Sequence, residues 1–358
     1  MADAGPGPAG SGLRVAVEGS ASSADAVEFV REAERYGADA AWVPEFWGYD
    51  ALTQVGYLAA RTSRMALGTS IVQLGSRSPA MLAMSAMSLQ QLSGGRFRLG
   101  IGVSGPQVVE GWHGARFRRP VQTTRETIEI IAMISRGDRL EYQGQIYQLP
   151  LPDSQGRALR SAAPPVPVPI YVAAIGPANL RLCGELADGW LGNAFIPETA
   201  SVFTDELRAG AHSAGRTLAD LDLQVPVAVE FTDDVAEAET RHAAGYAFTI
   251  GAMGSGSANF YNEAFARQGF GEPVRAVQRL WLDGRRDEAR RLVPRAIGAR
   301  TNLLGTPAMI GERLRRYRDA GVNTLSVKLR GDLPERLTTL GRFLDLIKDL
   351  NCSGTGTI

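Results

Sequence analysis

Strand-like apolar runs and amphipathic helix patterns alternate along almost the whole chain, and this alternation limits the fold more than any other feature. Eight short apolar runs are typical of buried strands, at residues 13–19, 40–45, 65–73, 96–102, 170–176, 189–193, 223–231 and 324–329. Most of them are separated by segments whose apolar residues have helical spacing. Such an alternation predicts a parallel sheet covered by helices. Eight strands in 358 residues therefore predict the α/β class and a (β/α)8 TIM barrel, with an open doubly wound sheet as the alternative.

The alternation defines a single domain over residues 13–350, interrupted by two segments. Residues 138–168 carry a short hairpin pattern and a proline-rich approach to the fifth strand, and residues 233–300 carry only helical patterns. We expect both segments to be insertions into the barrel. Residues 1–12, which are rich in glycine and proline, and residues 351–358 are expected to be terminal tails.

The charge balance argues against nucleic acid and membrane partners. Lysine and arginine together number 38, as do aspartate and glutamate, so no net field attracts a polyanion. No apolar run approaches the roughly 20 residues of a membrane span, and the first residues lack the regions of a signal peptide. Cys183 and Cys352 lie far apart, which fits a reduced compartment. We therefore expect a cytoplasmic protein that acts on a small molecule.

Three glycines imitate the spacing of a dinucleotide-binding loop. Gly100, Gly102 and Gly105 form a G-x-G-x-x-G pattern, which in dinucleotide-binding proteins follows the first strand and precedes an acidic residue by about 20 positions. Here the glycines follow the fourth strand, and residues 124–131 form a helical pattern instead. This context argues against NAD. At a barrel mouth, glycines let the backbone approach a flat ring or an anion. The alternative is that these three glycines form an ordinary glycine-rich turn without a ligand.

Two glutamates end predicted strands at the end where barrel enzymes carry their chemistry. Glu18 ends the first strand and Glu45 the second, so both should point into the C-terminal mouth of the barrel. A carboxylate at that position can serve as a general acid or base. For Glu45, an ion pair with a neighbouring arginine is the alternative. The three histidines, at 113, 212 and 242, do not cluster, which argues against a metal site.

Four segments resemble one known family. They are RSPAMLAMSAMSLQQLSGGRFRLGIG at 77–102, GVSGPQVVEGWHG at 102–114, AAIGPANLRLCGELADGW at 173–190 and MGSGSANFYNEAFARQGFGE at 253–272. In them the chain is similar to the luciferase-like monooxygenase superfamily. Within it, the segments most resemble the coenzyme F420-dependent oxidoreductases related to methylenetetrahydromethanopterin reductase.

This resemblance implies a (β/α)8 barrel with insertions, usually a homodimer. It implies the deazaflavin coenzyme F420, with a hydride transferred between its C5 carbon and a small organic substrate carrying a C=C, C=N or carbonyl/alcohol group. It also implies a non-proline cis peptide bond between Ser70 and Ile71, behind the deazaflavin ring. The cofactor edge would be lined by Gly102, Val103, Ser104, Gly105 and Pro106. The cofactor phosphate would lie at a helix N-terminus formed by Ala174, Gly176 and Pro177.

The resemblance also suggests roles for the two glutamates. The residue matching Glu18 is the acid/base of related reductases, and Glu45 lies near a position that carries a histidine or an acid in some relatives. Two other functions remain open, namely an FMN-dependent monooxygenase on the same barrel and a cofactor-binding relative without activity. Glu110 and His113 are expected to position their loop. The aromatic residues Trp47, Tyr49 and Trp112 would line the substrate pocket, an interface or the core.

Overall fold

A computed structural model describes residues 12–253 and 259–353 of the chain. The strands in these ranges are β1 (Arg14–Glu18), β2 (Ala40–Val43), β3 (Ala66–Thr69), β4 (Val72–Gln73), β5 (Phe97–Gly102), β6 (Tyr142–Gln143), β7 (Gln148–Leu149), β8 (Ile170–Val172), β9 (Gly189–Leu191), β10 (Asp222–Phe231), β11 (Leu303–Gly305) and β12 (Thr324–Lys328).

The helices lie between and after these strands. They are α1 (Ala24–Tyr36), α2 (Ala51–Ala59), α3 (Pro79–Ser93), α4 (Pro106–Val109), α5 (Pro120–Ser135), α6 (Pro177–Leu186), α7 (Ser201–Ser213), α8 (Val235–Gly245), α9 (Ala247–Ala252), α10 (Phe260–Phe265), α11 (Gly271–Leu282), α12 (Arg286–Leu292), α13 (Arg295–Thr301), α14 (Pro307–Asp319) and α15 (Leu333–Ser353). Single 3₁₀ turns occupy Pro197–Thr199 and Leu218–Asp220, and a π turn occupies Ala266–Phe270.

Parallel pairing closes the sheet into a barrel. Neighbouring strands follow the order β1, β2, β3, β5, β8, β9, β10, β12, and β12 pairs with β1. The short β4 continues β3 and pairs with β5, so it completes the third position of the barrel. The predicted (β/α)8 barrel is therefore confirmed, and the open sheet is excluded because both ends of the strand order are joined.

Local sequence signals account for the helix boundaries. Ser23 caps α1 by accepting a hydrogen bond from the backbone N–H of Ala26, and Gly37 ends that helix with a φ of 102°. Ser78 caps α3 in the same way, with Pro79 at the first helical position and Gly94 ending the helix. The residue that ends each of these two helices has a left-handed backbone conformation, and glycine adopts that conformation most readily.

The N-terminal end of the barrel interior is filled by a polar cluster. Asp222 accepts hydrogen bonds from Tyr171 at 3.1 Å and Thr324 at 3.0 Å, and it forms a salt bridge with Arg14 at 2.8 Å. Above this cluster lie Trp42 and the ring of Tyr171, with centroids 5.1 Å apart. Because side chains close this end, a ligand reaches the barrel from the opposite, C-terminal mouth.

The two predicted interruptions take different forms. Between α5 and β8 the chain makes the antiparallel hairpin β6–β7, and between β10 and β11 it runs through helices α8 to α13. The strand β11, which extends the sheet at the end of β10, escaped sequence analysis. Helix α15 continues past residue 350 to Ser353, and Asn351 exchanges two hydrogen bonds with Leu13, so the helix and its contacts with the domain extend past the predicted bound at 350.

The fold also buries one of the two cysteines. Cys183 is completely buried, and burial raises the pKa of its thiol, so this side chain fills the core. Among the described helices, none is both long enough and apolar enough to span a bilayer.

Candidate active site

The first glycine of the G-x-G-x-x-G pattern serves packing inside the barrel. A Cβ on Gly100 would lie 1.8 Å from the carbonyl oxygen of Thr69. The Thr69 hydroxyl accepts a hydrogen bond from the Gly100 N–H at 2.9 Å and donates one to the Gly100 carbonyl at 2.8 Å. This side-chain bridge joins β3 to β5 where the regular ladder stops, and it requires a residue without a side chain at 100.

The other two glycines shape the mouth. A Cβ on Gly102 would lie 2.8 Å from Cδ1 of Ile71 and 3.4 Å from Cβ of Ala173, so this glycine lets three neighbouring strand ends approach one another. Gly105 precedes α4 as its N-cap, and Ser104 before it has a φ of 57°. The segment 102–106 therefore turns tightly at the mouth, where Gly102 is buried and residues 103–106 are half-buried.

The third barrel strand is broken at the peptide bond singled out by the resemblance. The Ser70–Ile71 bond is cis, which confirms that expectation, and it separates β3 from β4. The Ser70 N–H donates to the carbonyl of Val43 at 2.8 Å, and the Ser70 side chain is exposed. Apolar spacing alone predicts one continuous strand over 65–73, because it carries no information about this break.

Glu18 lies at the mouth with its side chain exposed. It is the last residue of β1 and stands opposite Trp42 of β2 in the parallel register. Within the described residues, its carboxylate has neither a hydrogen bond nor a salt bridge, and Arg336 is a nearby positive charge. Glu18 therefore presents a carboxylate that is free to meet a substrate.

Glu45 does not present a free carboxylate, contrary to our expectation that it points into the mouth. Its side chain is 7% exposed and binds Arg77 through both oxygens, at 2.9 and 2.7 Å. One of these oxygens also accepts the N–H of Ala51, and Arg77 additionally contacts Asp50. The ion pair that sequence analysis left as an alternative is thus what the fold contains. The sequence did not favour this ion pair, because Arg77 lies 32 residues from Glu45 in the chain.

Electrostatics favour the charged forms of Arg77 and Asp50. The hydrogen bonds that Arg77 donates to the Glu45 carboxylate are the largest influence on Arg77 and raise the pKa of its guanidinium. Burial acts against ionisation of Asp50, but hydrogen bonds from Thr53 and the charge of Arg77 lower the pKa of its carboxyl. The group therefore fixes the loop after β2 to the loop before α3.

Gln73 joins two loops of the mouth. This buried residue donates to the carbonyl of Phe46 at 3.1 Å, and its Oε1 lies 3.1 Å from Nε2 of His113. Glu110 accepts the N–H of Phe117 at 3.1 Å. His113 and Glu110 thus hold the loop after β5 in place, as expected, and sequence analysis missed Gln73 because an apolar strand pattern surrounds it.

A group of exposed aromatic side chains lies on the loops that Gln73 joins. Four of them are between 53% and 73% exposed: Phe46, Trp47, Tyr49 and Trp112. The rings of Phe46 and Trp47 are in edge contact, with centroids 6.0 Å apart. These residues are therefore not part of the core of this chain, which removes one of the three roles considered for Trp47, Tyr49 and Trp112.

The N-terminus of α6 lies beside the glycine segment and has no side-chain cap. Gly176 is its N-cap and Pro177 its first residue, and the first intrahelical bond runs from Leu180 N to Gly176 O. The N–H groups of Ala178 and Asn179 therefore precede the helical ladder and can bind an anion. Ala174 is buried, and its carbonyl accepts the indole N–H of Trp190 at 2.8 Å, which leaves this carbonyl bound within the protein.

The helical insertion holds two loops of the mouth. Arg267 donates to the carbonyl of Ile175 at 2.7 Å. The neighbouring Gln268 is buried and donates to the carbonyl of Ala194 at 2.7 Å while accepting the N–H of Ile196 at 3.1 Å. Both residues belong to the segment 253–272 that carried the resemblance, although residues 254–258 of that segment lie outside the described residues. Neither residue has a role that its sequence pattern predicts.

Comparison with known proteins agrees with this architecture. The family model of luciferase-like monooxygenases matches residues 8–324. The chain belongs to the luciferase-like monooxygenase family. It is similar to a Mycobacterium tuberculosis protein named for coenzyme F420-dependent oxidoreductase activity, with 34% identity over 325 residues, covering 88% of this chain and 94% of that protein.

Two further relatives extend the comparison of this luciferase-like family member. A 5,10-methylenetetrahydromethanopterin reductase of Methanolobus tindarius is 32% identical over 213 residues, covering 59% of this chain and 63% of the reductase. The solved structure of a coenzyme F420-dependent tetrahydromethanopterin reductase from Methanopyrus kandleri superimposes with a TM-score of 0.75 at 22% identity. That superposition covers 92% of this chain and 97% of the other, and it shows that the two share the fold.

Proposed function

We propose that this luciferase-like protein is a coenzyme F420-dependent oxidoreductase that transfers a hydride between the deazaflavin C5 and a small organic substrate. The observation that carries the proposal is the meeting of three backbone features at one mouth. These are the break at Ser70–Ile71, the tight glycine segment 102–106 and the uncapped N-terminus of α6. The similarity to relatives named for F420 supports the same cofactor.

The residues present fit a flat ring that carries an anionic chain. Ser70, Ile71, Gly102, Val103, Ser104, Gly105 and Pro106 would contact the ring and its edge. Gly176 has open space where a side chain would stand: among the described residues only Phe260 comes within 4.0 Å, so a phosphate can approach the N–H groups that follow it. Ala174, Gly176 and Pro177 would hold that phosphate. When bound, F420 supplies a hydride donor or acceptor that reacts poorly with dioxygen.

Glu18 is the group we propose as acid/base. It would hold the proton that joins or leaves the substrate oxygen or nitrogen when the adjacent carbon gains or loses a hydride. Its support is its place at the end of β1 and its lack of a fixed partner among the described residues. Glu45 is reassigned to positioning, because Arg77 and the Ala51 N–H already occupy both of its oxygens.

The aromatic residues of the mouth suggest the substrate. Phe46, Trp47, Tyr49 and Trp112 would form an apolar wall over the substrate side of the ring, which favours a small organic molecule with an apolar or planar part. A sugar phosphate would need cations that face the same space. Arg77, a cation on the neighbouring loop, is already engaged by Glu45 and Asp50.

Assembly and location belong to the same proposal. Helices α2 and α3 expose Tyr57, Met81, Met84 and Leu92. An exposed apolar helix face of this kind supports the homodimer that we propose. We also propose a cytoplasmic location, on the basis of the widely separated cysteines and the overall charge balance.

The experiment that tests the function separates hydride transfer from oxygenation. The purified protein is mixed with reduced F420 or with reduced FMN, each with and without a panel of carbonyl, imine and alkene substrates. We expect substrate-dependent oxidation of reduced F420 without oxygen uptake. Oxygen uptake with reduced FMN and none of the F420 reaction would favour the monooxygenase alternative, and tight F420 binding without turnover of any substrate would favour the non-catalytic one.

A further inference from the structure

Lys328 ends the last strand of the barrel, next to Glu18. Lys328 is the final residue of β12, just as Glu18 is the final residue of β1. These strands are parallel neighbours, and Val17 pairs with Val327. The two residues that follow this pair are therefore side by side, on backbones about 5 Å apart. The ammonium and the carboxylate start from the same level of the mouth.

The alternation along β12 directs the Lys328 side chain to the inside of the barrel. Successive side chains of a strand point to opposite faces. Leu325 and Val327 belong to the main hydrophobic core. Thr324, on the other face, donates its hydroxyl to Asp222 in the polar cluster that fills the barrel interior. Lys328 shares the face of Thr324, four residues further on, and so lies on the inner face at the open end.

The same argument places Glu18 on the inner face. Val17 belongs to the main hydrophobic core, whereas Ala16 belongs to a separate cluster with Trp42 and Tyr171. The rings of Trp42 and Tyr171 lie inside the barrel, above the polar cluster. Glu18 comes two residues after Ala16 and has the same orientation. The carboxylate and the lysine ammonium therefore face one space, whose floor is formed by the two rings.

Small side chains keep that space open near Lys328. On β10, Pro226 pairs with Ser326 and Ala228 pairs with Lys328. Pro226, Ala228 and Ser326 are all half-buried, although they lie on the inner face of the barrel. Inner positions of such barrels are usually filled by bulky side chains. These two strands therefore leave room for a small ligand beside the lysine.

No carboxylate of the described residues neutralises Lys328. Its side chain is exposed, and within those residues it enters neither a salt bridge nor a side-chain hydrogen bond. Arg336, the other cation near Glu18, lies over the ring of Phe29 on α1, outside the barrel, with its Cζ 3.6 Å from the ring centroid. The lysine ammonium is therefore the cation placed to meet a ligand between β1 and β12.

We propose that Lys328 binds the oxygen of the substrate group that receives the hydride, and that this group is a carbonyl or a C=C bond conjugated with one. This inference rests on the proposed function, because it needs hydride transfer at this mouth. It narrows the three substrate groups considered there, namely C=C, C=N and carbonyl/alcohol, to those that develop negative charge on an oxygen.

The chemistry assigns a separate task to each of the two charged residues. When a carbonyl carbon gains the hydride, the electron pair of the C=O π bond moves to the oxygen, and the oxygen takes the proton held by Glu18. In a conjugated group the hydride adds to the far carbon of the C=C bond, and the electron pairs shift to the same oxygen, which gives an enol. An ammonium at this oxygen stabilises the charge as it develops.

The same ammonium disfavours the other two groups. The reactive form of an imine is protonated and positive, so a fixed cation beside it opposes binding. An isolated C=C bond has no oxygen to bind. A single ammonium thus gives the site a preference among substrates that otherwise have similar size and shape.

The test compares four six-membered rings of similar size: cyclohexanone, cyclohexenone, cyclohexene and the cyclic imine tetrahydropyridine. Any faster-reacting member of the same class in the wider substrate panel replaces its ring. The proteins are the unchanged chain, Lys328→Met, the charge-retaining Lys328→Arg, and Lys348→Met as the matched control. Lys348 is the other lysine of the chain, and it is exposed on α15, 3.4 Å from the Asp345 carboxylate. Oxidation of reduced F420 gives kcat and KM for each ring.

A second measurement needs no cofactor. The protein alone is treated with acetic anhydride, with and without cyclohexanol, the alcohol that corresponds to the test ketone. Peptide mass spectrometry then gives the acetylation rate of each lysine. We expect both lysines to react in the protein alone, and cyclohexanol to slow acetylation of Lys328 but not of Lys348.

The unchanged protein and Lys348→Met should reduce the ketone and the enone faster than the imine and the alkene. Lys328→Met should lower kcat for the ketone by about 100-fold, as for loss of one group that stabilises an oxyanion, with less than about a 2-fold loss for the imine. Lys328→Arg should keep at least about one tenth of the ketone activity, since the charge remains while its geometry changes.

Several results would overturn the inference while leaving the proposed function intact. They are unchanged ketone reduction by Lys328→Met, an equal fall for all rings, faster reduction of the imine than of the ketone by the unchanged protein, and no protection of Lys328 by cyclohexanol. An equal fall for all rings would show that Lys328 supports the fold of the mouth. Failure of every substrate to oxidise reduced F420 would overturn the proposed function together with this inference.

Discussion

At the scale of single residues, the clearest contrast is between the two strand-end glutamates. Both end a predicted strand at the same side of the barrel, yet only Glu18 keeps its carboxylate free among the described residues, whereas Glu45 is bound by Arg77. The chemistry of a carboxylate is set by these partners, and they come from parts of the chain that sequence spacing does not connect.

Replacing Glu18 by glutamine tests its proposed role as acid/base. Glutamine keeps the size of the side chain and removes its proton. We expect kcat to fall by roughly 10²–10⁴-fold, the usual contribution of general acid–base catalysis. The dissociation constant of F420 should stay within about 2-fold, since the cofactor would be held mostly by backbone groups, and the pH–rate profile should lose one limb. Near-native turnover in this variant would place the acid/base elsewhere.

A glycine of the barrel interior gives a sharp stability prediction. Gly100→Ala places a Cβ against the carbonyl of Thr69 and the side chain of Leu191, where backbone must move to make room. We expect the free energy of unfolding in urea to fall by about 3 kcal/mol or more, as for overpacked cores. Gly311→Ala on α14 is the matched control, since no atom of the described part of the chain lies within 4 Å of its added methyl. The control should gain up to about 1 kcal/mol. Equal effects of the two substitutions would contradict the packing described for β3 and β5.

At the scale of secondary-structure elements, the residue before β9 extends the ladder of β8. The Asp188 carboxylate accepts the N–H of Ile170 at 2.7 Å, and the Asp188 N–H donates to the carbonyl of Ile170 at 2.8 Å. Burial is the largest influence on Asp188 and raises the pKa of its carboxyl, although Arg216 and Arg98 act in the opposite direction. The carboxyl thus supplies a needed acceptor while its charge is unfavourable in the folded state.

The raised pKa of Asp188 sets the sign of its pH dependence. An acid with a raised pKa in the folded state contributes stability below its unfolded pKa and loses that contribution as pH rises through the folded value. Asp188→Asn keeps a hydrogen-bond acceptor without the charge. At neutral pH its free energy of unfolding should therefore equal or exceed that of the unchanged protein, and in acid this advantage should disappear. Asp188→Ala should cost about 1–3 kcal/mol at every pH, because the Ile170 N–H loses its partner. Urea unfolding from acid to neutral pH measures the stability of both variants. An asparagine variant as unstable as the alanine variant would contradict this role of the Asp188 carboxyl.

Sequence patterns predicted the strands of the barrel better than the break within the third strand or the short strand β11. The alternation of apolar runs located all eight barrel positions, because a buried parallel strand needs a continuous apolar run. The cis bond at Ser70–Ile71 was expected only from the resemblance, and β11 was missed because three residues next to a helical insertion form too short a run. Gln73, Arg77 and Gln268 act through contacts made after folding, so their positions in the chain gave no signal.

At the scale of the whole molecule, the polar cluster around Asp222 closes one end of the barrel and leaves the opposite mouth open. The helical insertion contributes to the open end through Arg267 and Gln268, which hold the loops after β8 and β9. We expect this mouth to bind a deazaflavin in preference to a flavin.

Equilibrium titration of the full chain with F420 and with FMN under the same conditions measures this preference. Quenching of cofactor fluorescence gives both dissociation constants. We expect a dissociation constant in the micromolar range or lower for F420, and at least about 10-fold weaker binding of FMN, a difference of about 1.4 kcal/mol. Tighter binding of FMN than of F420 would contradict it.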